Sequence, residues 1–171
     1  MEEFNISKYQ KAHYLELDDY KAPEGIEAYF ITMDDGIKIR VCHWLQKREK
    51  SAGTILLQQG HNEFIEKYYE TIQEFITRGY SVICFDWRGQ GMSDRMIKDI
   101  NKSFITDFKR HDKDLEKILE EIIKPFFPKP LIGLGHSMGG CLMLSAFHNH
   151  PTKFDYGILS APMLGFKNES F

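Results

Sequence analysis

Leu131-Ile132-Gly133-Leu134-Gly135-His136-Ser137-Met138-Gly139-Gly140 is the stretch around which the rest of the chain is arranged. An apolar run enters a Gly135-x-Ser137-x-Gly139 turn, and a helix-like segment, Gly139 to His148, leaves it. Strand, G-x-S-x-G and helix in that order form the nucleophile-elbow pattern. The turn is sharp enough to strain the serine backbone. Side chains two residues to either side would collide with the neighbouring strand and helix, and glycine removes that collision. The Ser137 hydroxyl then stands above the sheet edge. The new helix aims its first N–H groups, Met138 among them, into the same space. A glycine-rich turn that only packed tightly would not need a hydroxyl at its apex.

Outward from the elbow, the pattern alternates. Thr54 to Leu57 and Ser81 to Phe85 are continuous apolar runs, as expected of strands buried on both faces of a mainly parallel sheet. Ile65 to Arg78 carries apolar residues at helical spacing and ends at Gly79, a C-cap. Phe104 to Ile123 reads as the longest helix, stopped by Pro125-Phe126-Phe127-Pro128-Lys129-Pro130. Tyr156 to Ser160 is the last strand. Upstream, Glu27 to Thr32 and Ile37 to Trp44 flank Asp34-Asp35-Gly36, a hairpin signal. The period-two alternation of the second predicts an antiparallel strand with one wet face. The chain therefore reads as α/β: a doubly wound, mostly parallel sheet with an N-terminal antiparallel hairpin. Residues 1–24 read as an irregular arm and residues 25–171 as a partial domain. In such sheets, sites form at the carboxyl ends of the strands. There the Gln59-Gly60-His61 loop, the loop from Asp86 to Asp94 and Ser137 should meet.

Bulk properties narrow the function. The 171 residues carry a net charge of −3 with both signs interspersed, so no nucleic-acid surface is indicated. No apolar run approaches the length of a membrane span. The start, Met1-Glu2-Glu3-Phe4-Asn5, does not read as a secretory signal. Cys42, Cys84 and Cys141 are odd in number and match no metal spacing. They read as buried free thiols of a cytoplasmic protein.

Four stretches in order carry a resemblance. They are Gln59-Gly60-His61-Asn62-Glu63, Phe85-Asp86-Trp87-Arg88-Gly89-Gln90-Gly91-Met92-Ser93, Gly135-His136-Ser137-Met138-Gly139-Gly140 and Leu159-Ser160-Ala161-Pro162-Met163. Over roughly residues 25 to 166, the chain resembles the α/β-hydrolase superfamily, in its lysophospholipase and monoacylglycerol-lipase branch (also called serine aminopeptidase-like). The resemblance implies a serine esterase that needs no metal or organic cofactor. Its substrate would be a lysophospholipid or monoacylglycerol ester, hydrolysed through an acyl-enzyme on Ser137. It implies backbone N–H donors to the developing oxyanion from Met138 and His61. The family often has His-Gly where Gln59-Gly60 stands. His136 follows the chain into a sharp turn and should point away from Ser137. Asp86 and Arg88 should pin their loop by hydrogen bonds.

A hydrolase serine needs a histidine to take its proton and an acid to orient that histidine. In this fold both follow the serine in the chain. After Ser137 come His148, His150, Asp155 and Glu169, none at the position the resemblance requires. The triad Asp and His, a lid and further strands are thus expected beyond Phe171, which makes the chain read as the N-terminal half of a hydrolase. The alternative is an inactive fragment or binding module. Acyl and head-group choice, peptidase or thioesterase chemistry, peripheral membrane contact and oligomeric state are left open by the sequence.

Overall fold

A computed structural model describes residues 4–47, 49 and 51–165. Among them, seven strands form one sheet in the order β1-β2-β3-β5-β4-β6-β7. These are β1 (Gln10–Lys11), β2 (Glu27–Thr32), β3 (Lys38–Trp44), β4 (Gly53–Gln58), β5 (Tyr80–Phe85), β6 (Leu131–His136) and β7 (Tyr156–Ser160). β5, β4, β6 and β7 are parallel, and β1 to β3 join them antiparallel. The expected α/β class and N-terminal hairpin are both present. Gly36 closes the hairpin at φ +84°, its N–H bonded to Met33 O at 2.9 Å.

Alternate residues of the central strands feed two separate cores. Leu56, Ile83 and Phe85 pack with α2 (Lys109–Ile118) and α4 (Met138–Asn149) on one face. Ile55, Leu57, Val82 and Cys84 pack with α1 (Tyr69–Thr77) on the other. Covered on both faces, these strands need no polar alternation, which explains their continuous apolar runs.

Four sequence expectations need correction. β3 has no wet face: Lys38 is half-buried and Arg40, which shares its face, is fully buried. The arm and the turn preceding α1 cover that face, and Glu66 and Asp86 neutralise Arg40. The arm itself is more ordered than expected, because Gln10–Lys11 pair with Phe30 and Tyr29 as β1. The long helix begins at Lys109, leaving Phe104 and Phe108 in an exposed loop. Its far end passes through Pro125 instead of stopping there. Pro125 has no N–H for the carbonyl four residues back. The segment Leu119–Ile123 widens into a π turn, with Lys124 N–H on Leu119 O, before α3 (Lys124–Phe126) closes the helix. Finally, Cys42 and Cys84 are buried free thiols, but Cys141 is only half-buried.

Candidate active site

β6 runs straight into Ser137, whose backbone sits at φ +52°, ψ −117°. That conformation is costly for a residue with a Cβ and persists only when neighbours hold it. Three bonds do so. Ser137 N–H donates to Ser160 O at 3.1 Å, and Ser137 O accepts from the N–H groups of Met163 (2.9 Å) and Cys141 (3.2 Å). The flanking glycines have backbone at close quarters. A Cβ on Gly135 would lie 2.5 Å from Gly139 O, and one on Gly139 would lie 2.3 Å from Gln58 O.

The loop after β4 passes beside the serine: a Cβ on Gly60 would come 3.1 Å from Ser137 Cβ. The next residue is His61. Its main-chain N–H and that of Met138, the first residue of α4, have no acceptor among the described residues. Both residues line one cavity of about 200 Å³, with Phe104, Ile105, Phe108 and His111 making its apolar and aromatic wall. The sequence expectation named these two residues and Ser137, and the fold brings all three to the C-terminal edge of the sheet.

Polar side chains fix this edge. Glu63 Oε2 accepts from Gly60 N–H at 2.7 Å and from Tyr68 Oη at 2.5 Å, while Lys67 Nζ reaches Oε1 at 2.5 Å. His136 Nδ1 lies 3.2 Å from both Glu63 Oε2 and Tyr68 Oη, so its ring is engaged away from Ser137 Oγ. Burial works to raise the Glu63 pKa, but these donors outweigh it and hold the carboxyl down at about 2. Asp86 pins its loop from within: it takes Arg40 Nε at 2.7 Å, Met92 N–H at 2.8 Å and Ile65 N–H at 3.1 Å. Arg88 makes two 2.6 Å bonds to Asp114 and one of 2.8 Å to Asp35. His111 is buried with its ring 5.0 Å from Trp87 and 5.1 Å from Phe108. Burial, then the Arg88 charge, lowers its pKa to about 4, so it faces the cavity as a neutral imidazole.

No described imidazole hydrogen-bonds Ser137 Oγ. His148 and His150 lie at the far end of α4, roughly 18 Å along a helix of this length. His150 is occupied by Asp112 at 3.3 Å. Asp155 accepts Leu131 N–H at 2.7 Å ahead of β7. Glu169 lies outside the described residues. Among the described residues, no cluster of His, Cys, Asp and Glu could hold a metal ion. Sequence reasoning quoted Glu63 and Gln90 without roles and missed Tyr68 and His111. Only the Gly60-to-Glu63 spacing, which lets a carboxylate cap its own loop, was a usable local signal.

The sequence model of one protein family, described as serine aminopeptidase, S33, matches residues 49–171. The chain belongs to that family. The serine aminopeptidase match is accompanied by similar proteins of known name. A probable lysophospholipase L2 of Haemophilus influenzae is 28% identical over 142 residues, covering 83% of this chain and 45% of the relative. A monoacylglycerol lipase of Mycolicibacterium smegmatis is 30% identical over 114 residues, covering 64% of this chain and 38% of the relative. Among solved structures, a soluble variant of monoglyceride lipase from Saccharomyces cerevisiae superposes with a TM-score of 0.67 at 27% identity. That match covers 84% of this chain and 47% of the other. This member of the family thus has the α/β-hydrolase fold in a lysophospholipase- and monoglyceride-lipase-like setting, and spans less than half the length of these relatives. None of its described helices is long and apolar enough to cross a membrane.

Proposed function

We propose that this chain carries the nucleophile and oxyanion hole of a serine hydrolase that cleaves lysophospholipid or monoacylglycerol esters. One observation carries the reading. A strained serine at the head of a helix stands beside two N–H groups, of His61 in the loop after β4 and of Met138 at the start of α4, that share a cavity and have no acceptor among the described residues. In this mechanism Ser137 Oγ attacks the ester carbonyl carbon, and the carbonyl oxygen becomes an alkoxide. The N–H groups of His61 and Met138 donate to that alkoxide, a contribution of several kcal/mol in such sites. Collapse expels the alcohol and leaves the acyl group on Oγ. Water then attacks the acyl carbon and releases the fatty acid. The apolar wall of Phe104, Ile105 and Phe108 suits an acyl chain, and the names of the relatives support a lipid ester. The proton of Oγ requires a histidine and an orienting acid that are not among the described residues.

The test is fatty-acid release from monooleoylglycerol and lysophosphatidylcholine, with fluorophosphonate labelling read by mass spectrometry. Ser137→Ala is expected to abolish labelling and to lower turnover at least 10³-fold where the base is present. Turnover unchanged in Ser137→Ala would sink the reading. That no described imidazole bonds Ser137 Oγ favours a second reading, an acyl-binding module without turnover. Binding of the lipid with neither hydrolysis nor labelling of Ser137 would support it.

A further inference from the structure

We infer that Gln90 is a positioning residue for the oxyanion hole, setting the direction of the His61 N–H. The inference rests on the reading of His61 as an oxyanion donor. Gln90 lies in the loop after β5, remote in sequence from the loop it contacts. Its side chain is buried. Its Oε1 accepts from Asn62 N–H at 2.7 Å, and its Nε2 donates to Gly60 O at 3.3 Å. One carboxamide therefore grips the residues immediately before and after His61. Gly60 O belongs to the same peptide unit as His61 N–H. Because a peptide is planar, fixing that carbonyl fixes the N–H pointing the opposite way. The second bond secures the following peptide, where Asn62 holds a left-handed φ of +57° that would otherwise relax.

The chemistry requires an amide here. One partner is a donor and the other an acceptor, so the side chain must accept and donate at once. A carboxylate could take Asn62 N–H but would repel Gly60 O. An aliphatic side chain could do neither. Gln90 is itself anchored, with its N–H on Trp87 O at 2.9 Å and its O accepting Ser93 N–H at 3.0 Å. Trp87 Nε1 adds a bond to Gln59 O at 3.1 Å, and Asp86 Oδ1 takes Gln59 Nε2 at 3.2 Å. The loop after β5 is the template against which the loop after β4 is set.

The experiment compares wild type with Gln90→Leu and Gln90→Glu by amide NMR and by hydrolysis of p-nitrophenyl butyrate. Fold retention is checked by circular dichroism. Phenylboronic acid serves as the probe, since its tetrahedral adduct on Ser137 presents an oxyanion. In wild type the adduct should shift both the His61 and Met138 amide signals. In both variants the Met138 shift should persist while the His61 shift is lost, and kcat should fall roughly 10²-fold with KM nearly unchanged. Gln90→Glu should keep Asn62 N–H protected from exchange, and Gln90→Leu should not. Equal His61 shifts or unchanged kcat in folded variants would overturn the inference while leaving Ser137 as nucleophile. Absence of an adduct and of turnover in wild type where the base is present would overturn the reading of Ser137. In that case unchanged Asn62 protection in Gln90→Leu would overturn the role of Gln90 as well.

Discussion

At Glu63, one carboxylate collects a backbone N–H, a phenol and a lysine beside the serine. Its pKa, held at about 2 against an ordinary 4.5, makes it a stability element with a definite sign. The folded state binds the proton less tightly than the unfolded chain does. The stabilisation is therefore complete above about pH 4.5 and is lost as pH falls through 2. Wild type should lose more unfolding free energy than Glu63→Gln over that window, read by urea titrations at several pH values. Parallel pH profiles would refute it. Glu63 shows the limit of reading residues from sequence. Gly60 lies three residues before it, and that part of its role was legible. Its approach to His136 exists only once β4 and β6 are paired. Arg40 shows the same limit from the other side. In an alternating strand a lone arginine reads as a wet-face residue, yet it is fully buried against Glu66 and Asp86. Only the tertiary fold supplies those two carboxylates.

The elements around Ser137 are packed to different tolerances, and the glycines measure them. At Gly139 an added Cβ would meet the main-chain oxygens of Gln58 and Gln59 at 2.3 and 2.5 Å, so α4 would have to lift from β4. At Gly133 it would meet Met143 Cε at 2.3 Å and the Phe147 ring at 2.8 Å, both ends of side chains. Gly139→Ala should cost about 3 kcal/mol or more, and Gly133→Ala about 1 kcal/mol, because flexible termini move and backbone does not. Equal losses in denaturant unfolding would refute the distinction. The elbow was readable from sequence because each of its constraints is local. The start of α2 was not. Phe104 and Phe108 continue the helical spacing, but Pro-free periodicity cannot separate a core stripe from a loop that turns aromatics toward a cavity. The two-residue β1 was equally hidden, since a pair of polar residues carries no period.

On the scale of the whole molecule, the sheet is well covered in its middle and open at one side. β7 pairs with β6, and no described strand lies on its other edge. Tyr156 and Ile158 are exposed along it, 64% and 48% respectively. An apolar strand with free edge groups templates further pairing. The isolated chain should therefore self-associate as its concentration rises, and Ile158→Lys should reduce that association in sedimentation velocity. A wild-type chain that remains monomeric across the range would refute this. The overall architecture was legible because strand and helix alternate, and the interleaved order β3-β5-β4-β6 follows from that alternation only in three dimensions. That order also has a consequence in time. β4 is complete only when β6 arrives, and Thr54 pairs with Leu131. At a synthesis rate of about 5–20 residues per second, an emerging chain holds the β4 edge open for roughly 4–15 s. A pause with β4 emerged and β6 still to emerge would prolong that exposure and invite chaperone capture, whereas the same pause after β6 has emerged and paired would meet an edge already closed.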